Sequence, residues 1–183
     1  KNERNAALII AEERNLIGLG NAVRLMNDRN PALQELADEV SALSVQTGGS
    51  ARQSAHAAQL MMLTQRMAKN ANALLSGETI DPEVSFLLGK DTNEFRTTLA
   101  ALQQGSAALR LAAEKDPDAS AKLDELGAAF KGYQESVASI LGNMQRLIAA
   151  KNAAFGVFNE SEKLLQSTEK LAREYESELA QSQ

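Results

Sequence analysis

Residues 53–75 read QSAHAAQLMMLTQRMAKNANALL. Within them His56, Leu60, Leu63, Met67, Asn70 and Leu74 recur at steps of four, three, four, three and four. Those steps gather the six side chains on one stripe of an α-helix, the seam of a helix packed among others in a bundle. Gly77 follows at the place where glycine's access to positive φ ends a helix cheaply. Gly48-Gly49-Ser50 precedes the stretch and predicts a turn with Ser50 as the N-cap.

Upstream, residues 2–46 carry a helical pattern in two pieces. Leu16, Leu19, Val23 and Met26 step along one stripe, and Leu33, Leu36, Val40 and Leu43 along a second. Pro31 lies between the two and removes an amide donor, which predicts a kink or short break near residues 28–30. Downstream, Asp81-Pro82-Glu83 is a helix start, an aspartate cap followed by proline at the first helical position. The third helix turns Phe95, Leu99, Leu102 and Leu109 inward, with Gly105-Ser106 loosening its end over 105–117. Asp116-Pro117-Asp118 opens the fourth, seamed by Leu123, Leu126, Phe130, Tyr133, Val137 and Ile140. The same spacing continues to Met144 and Leu147. A helix from there to the C terminus would far exceed the usual length of about 11–12 residues, so Gly142-Asn143 reads as a turn with Asn143 as the next cap. The last helix is seamed by Ala154, Phe158, Leu165, Thr168, Ala172, Tyr175 and Leu179, with Glu169 and Arg173 spaced for an outer ion pair. The expected fold is all-α: an antiparallel four-helix bundle at about 50–76, 82–114, 118–142 and 144–182, with a long, kinked N-terminal helix at 2–46. As domains, 1–46 is a connector helix and 47–183 a single helical module.

Composition agrees with that reading and narrows the function. Apolar residues are 44% of the 183 and aromatics 4%, with 3 prolines and no tryptophan, which favours close-packed helices rich in alanine and leucine. The net charge of −5 with scattered lysine and arginine excludes nucleic acid as a partner, since phosphate binding needs clustered basic residues. Without cysteine there is no disulfide framework, thiolate nucleophile or cysteine-ligated metal. No apolar run approaches the ~20 residues of a membrane span. The chain opens on Lys1, and we read it as an excised piece whose membrane spans flank it.

Catalytic patterns are absent: no Gly-x-Ser-x-Gly, phosphate loop or dinucleotide fingerprint occurs. His56 has no second histidine with which to build the paired Glu-x-x-His ligands of di-iron bundles, so it reads as a hydrogen-bonded seam residue, and no metal or cofactor is expected. Gly18-Leu19-Gly20 reads as a close helix contact. The polar content of the 53–75 stretch remains: Gln59, Thr64, Gln65, Arg66, Lys69 and Asn70, with Met61 and Met62 off the main stripe and Met67 on it. Arg66 either pairs with a carboxylate of a neighbouring helix or holds an anion by a two-point contact. Met61 and Met62 fit either core packing or an adaptable surface. These eight residues, Met67 excluded, form the candidate ligand or partner surface.

The segment AAQLMMLTQRMAKNANALLSGE at 57–78 resembles the motif of the PilJ family, of the form xQRxLSQRxAKxAxxxxxG. A weaker similarity runs through LQQGSAAL at 102–109, LDELGAAF at 123–130 and NAAFGVFNESEKLL at 152–165. The resemblance implies the sensing region of a chemoreceptor-like transducer of type IV pilus systems: periplasmic, anchored in the inner membrane, homodimeric, with the pilus subunit as partner. The family carries two such modules in tandem, and one motif copy implies the membrane-proximal one. The same motif is similar to the sensor helix of nitrate-responsive histidine kinases, patterned LRMQSYRL. Met61 stands where that pattern has its anion-contacting arginine, while Arg66 matches the later one. The expected function is a non-enzymatic periplasmic sensory domain relaying partner or ligand engagement through long helices. The alternatives are a small-molecule or anion sensor of the same fold, with a pocket near Gln59, Thr64, Gln65 and Arg66, and a structural spacer.

Overall fold

Helix-forming stripes and well-placed caps account for nearly the whole architecture. The computed structural model describes residues 2–76 and 81–182, and the side chains among them other than those of 2, 4, 5, 8, 75, 76 and 151–159. Gly77 therefore lies outside the described residues, as do the side chains of Ala154 and Phe158. Four helices run through the described residues: α1 (Asn2–Gln46), α2 (Ala51–Ser76), α3 (Pro82–Gln104) and α4 (Pro117–Gln181). Each packs against the next, and α1 closes the ring against α4. The fold is an all-α four-helix bundle, as expected. Helix α1, expected as a separate connector, takes the place expected for the helix at 144–182, because its apolar stripe is buried in the core. Its four members are α1, α2, α3 and the first part of α4.

The turns follow from their residues. Gly48 ends α1 at φ +71°, and the Gly49 amide donates to the Ser44 carbonyl at 2.8 Å. Ser50 caps α2 reciprocally: its Oγ accepts from the Gln53 amide at 3.1 Å, while Gln53 Oε1 accepts from the Ser50 amide at 3.0 Å. That exchange satisfies two amides that would otherwise lack partners. Asp81 accepts from the Glu83 amide and Asp116 from the Ala119 amide, both at 2.9 Å, each followed by proline.

Two expected boundaries and one expected break are corrected. Helix α3 stops at Gln104 and does not reach 114, because Gly105 turns at φ +86° and the chain reverses. Ser106 and Leu111 then exchange amide-to-carbonyl bonds of 2.9 Å each, with Arg110 in the left-handed region at φ 54°. Leu111 is buried and Leu109 partly so, closing that end of the core. The turn expected at Gly142-Asn143 does not form, and α4 continues for 65 residues. Asn143 does not cap; its Nδ2 donates back to the Ser139 carbonyl at 2.8 Å, and its side chain lies against α1. Helix α1 likewise passes Pro31 without a break: Met26, Leu33 and Ala37 are buried on either side, and that packing outweighs one lost amide bond.

The core is the set of stripes facing inward. Leu60, Leu63 and Met67 of α2, Leu88, Phe95 and Leu99 of α3, and the α4 seam from Leu123 through Leu147 are buried, with Leu19, Val23, Met26, Leu33 and Val40 from α1. Leu16, expected on the α1 stripe, is exposed. Phe95 and Phe130 meet at 4.4 Å between ring centroids, and Tyr133 lies 6.4 Å beyond Phe130. The Tyr133 hydroxyl is buried without a hydrogen-bond partner.

Helices α1 and α4 are antiparallel and held in one register by three contacts. Gly18 sits so close to Asn143 that a Cβ there would come within 2.8 Å of Oδ1. Gly20 meets nothing within 4 Å, so only Gly18 of that pair serves close packing. Arg29 donates to the Gly132 carbonyl and to Ser136 Oγ. Lys122 pairs with Glu39 at 2.7 Å and with Glu125 at 3.2 Å, and the two carboxylates raise its pKa. By the same register Asn2 is level with residue 159. Beyond that level α4 runs on, and every side chain over 160–182 is exposed. No helix among the described residues is long and apolar enough to cross a membrane.

Candidate functional site

Helix α2 is one turn-capped rod with its seam on α1 and α3, so its remaining side chains sort by angle. Met62, Gln65, Arg66 and Lys69 lie on the exposed face. Gln59, Met61 and Asn70 are partly buried, and Met61 packs against the core. Thr64 is fully buried, with Oγ1 donating to the Met61 carbonyl at 2.6 Å. The eight sequence-derived residues thus divide between an open face, a border and the interior. Thr64 and Met61 do not share a surface with Gln65 and Lys69.

Arg66 is held by α3. Its Nη2 donates to Asp91 Oδ1 at 2.5 Å and its Nε to Asp91 Oδ2 at 3.2 Å. The carboxylate is wholly buried while the arginine side chain is 46% exposed, so the arginine caps an acid that the bundle has taken out of water. A two-point guanidinium–carboxylate contact is among the stronger polar contacts available to side chains. Of the two roles open to Arg66, the geometry provides the interhelical pair. Asp91 was not singled out from the sequence, although the signal is there. It lies three residues after Leu88 and four before Phe95, both fully buried, and so occupies the inward stripe of α3.

Two turns earlier on α2, Gln59 joins His56 to Glu94. Its Nε2 donates to Glu94 Oε1, which leaves its Oε1 facing His56 Nδ1 at 3.2 Å. An amide oxygen only accepts, so Nδ1 carries the proton and Nε2 of a neutral His56 is the free acceptor. These three side chains and Lys90 line a cleft of about 520 Å³ between α2 and α3. Lys90 stands four residues before Glu94 and makes no ion pair with it among the described residues. The cleft shares only Gln59 with the sequence-derived surface. In the core, Thr92 Oγ1 donates to the Leu88 carbonyl at 2.7 Å and lies 3.4 Å from Met67 Sδ.

On the opposite side of the bundle a second arginine stands differently. Arg29 of α1 makes both of its hydrogen bonds to α4 through Nη1, and among the described residues it has no carboxylate partner. Its guanidinium lies flat over Gly132, whose absent Cβ would come 3.3 Å from Nη1 and 3.4 Å from Cζ. Nothing in the local sequence of Arg29 marks it; its place depends on Gly132, 103 residues away.

Comparisons with known proteins agree with this architecture. The family model for PilJ, described as the N-terminal region of a type IV pili methyl-accepting chemotaxis transducer, matches residues 42–155, well over half of the chain. The protein PilJ of Pseudomonas aeruginosa is 27% identical over 168 residues, covering 92% of this chain and 25% of that protein. AlkN of Alcanivorax borkumensis, whose name describes it as methyl-accepting chemotaxis AlkN, is 26% identical over 174 residues, covering 94% of this chain and 26% of its own. The chain spans about a quarter of the length of these relatives.

Proposed function

The chain belongs to the PilJ family of N-terminal regions of type IV pilus methyl-accepting chemotaxis transducers, and from that membership we propose that it is a periplasmic sensory segment, a relay without catalytic activity of its own. The observation that carries the relay is α4: one helix of 65 residues begins in the bundle core and leaves it as an exposed rod. A continuous helix transmits displacement along its length, and shifts of packed helices by an ångström or two are an established mode of switching. The bundle is the part that is engaged, and the rod is the part that moves the next segment. The partner we assign is the pilus subunit, acting on a homodimer. The dimer is supported by two apolar series that a single copy leaves in water: Leu16 and Ile17 on α1, and Leu165, Tyr175 and Leu179 on α4. Along α4, Leu165, Ala172 and Leu179 recur every seven residues, the repeat of a two-helix seam.

The test is to break the rod without touching the bundle. In the full-length receptor, Gln166→Pro interrupts α4 at an exposed position. The expected result is retained pilin binding with kinase output no longer responding to it. An unchanged response would refute the relay.

A small-molecule form of this reading is favoured by the cleft between α2 and α3 and by Arg29 between α1 and α4, whose polar groups the fold does not fully use. It moves the site away from Thr64, whose hydroxyl donates to the Met61 carbonyl, and from Arg66, whose Nε–Nη2 edge holds Asp91.

A further inference from the structure

We propose that the cleft between α1 and α4 around Arg29 binds a short aliphatic monocarboxylate. The proposal deepens the small-molecule form of the relay and rests on that reading for its purpose, though the binding itself is measured separately. The cleft has a volume of about 370 Å³. Its polar side is Arg29 with Ser136 and Ser139, and its apolar side is Ala22 with Leu25.

The argument begins with the two arginines. A guanidinium has five N–H donors in a fixed fork, and the edge formed by Nε and Nη2 matches the two oxygens of a carboxylate. Arg66 uses that edge on Asp91, through Nε to Oδ2 and Nη2 to Oδ1. Arg29 is anchored by its other nitrogen. Nη1 donates to the Gly132 carbonyl and, at 3.1 Å, to Ser136 Oγ, which engages both of its protons. The Nε and Nη2 protons are left without a carboxylate among the described residues. The fork is fixed before any ligand arrives, because the backbone of α4 and the bare face of Gly132 hold the group flat. Little side-chain freedom is then lost on binding.

The rest of the cleft sets the ligand's size and charge. Leu25 is 44% exposed and lines the cleft with Ala22, which offers a short alkyl chain an apolar wall. Glu135 lines it too and forms no ion pair with Arg29. Its negative charge disfavours phosphate and dicarboxylates while tolerating one carboxylate held by the fork. A monocarboxylate with a chain of two to four carbons satisfies all three features. Its occupancy would join α1 to α4 at the middle of their register contacts.

Isothermal titration of this chain with butyrate, and separately with inorganic phosphate, tests the proposal. The expected result is saturable binding of butyrate below about 10 mM and none of phosphate, with butyrate affinity falling at least about tenfold in Arg29→Gln. Absence of butyrate binding, or equal binding by folded Arg29→Gln, overturns it. Glu135→Gln supplies an independent reading, since that exposed residue has no packing role. Tighter butyrate binding, with phosphate now admitted, supports the site; an unchanged profile refutes it. A failed titration beside an intact response to pilin removes the site and leaves the relay. Retained butyrate binding beside a Gln166→Pro receptor that still responds does the reverse.

Discussion

Arg66 and Arg29 are the same side chain with different neighbours, and the neighbours decide what removal costs. Arg66→Ala strands the buried Asp91 carboxylate. We expect a loss of about 1–3 kcal/mol in urea unfolding, below the cost for a fully buried pair because water reaches the arginine's side. Asp91→Asn in the same chain should recover much of that loss, a result that a ligand-contacting role for Arg66 would not give. Tyr133 supplies a second case. Burial raises its phenol pKa above the ordinary value of about 10, so the folded state holds the proton after the unfolded chain has released it. Its contribution to stability is therefore complete below about pH 10 and declines as pH rises from there. Tyr133→Phe should abolish that part of the decline and, by removing an unpartnered hydroxyl, be neutral or stabilising at pH 7. The candidate site was legible in the sequence only in part for the same reason. Arg66 lies in a motif that can be read locally, whereas the acid that engages it and the glycine beneath Arg29 are supplied by other helices.

At the level of elements, the sequence stripes located every helix and the caps at Ser50, Asp81 and Asp116, because both are local properties. What they did not decide was whether α4 stops at Gly142-Asn143. The three-four spacing of Ile140, Met144 and Leu147 continued unbroken, and that burial outweighed the rarity of long helices and the turn preference of the dipeptide. A single substitution separates the two possibilities. Gly142→Ala in a continuous helix should stabilise by about 0.5–1 kcal/mol, since an added Cβ meets only Arg146 Nη2 at 3.8 Å. In a turn it would destabilise. The connection between α1 and α2 has the opposite character. A Cβ on Gly49 would come 2.7 Å from the Ser44 carbonyl oxygen, a backbone atom that cannot step aside. Gly49→Ala is expected to cost more than Ser50→Ala, whose lost cap is worth about 1 kcal/mol, and comparative thermal melts read the order directly.

For the whole molecule, the exposed apolar series on α1 and α4 make association the first property to measure. The proposed homodimer predicts a sedimentation coefficient that falls to the monomer value when Leu165 and Tyr175 are both changed to lysine, with the bundle's melting unchanged because neither residue packs on it. A chain that stays monomeric at all concentrations would place dimer formation outside this segment. The register contacts carry a mechanical consequence of their own. Gly18 with Asn143, Arg29 with Gly132 and Glu39 with Lys122 pin α1 to α4 at three points, so neither helix slides past the other unless all three give way together. The pair behaves as a beam clamped over the ~21 residues from 122 to 143, ~32 Å, and overhanging its last clamp by ~38 residues, ~57 Å. Such a beam amplifies: a tilt of about one degree at Asn143 sweeps the tip at Gln181 sideways by about 1 Å.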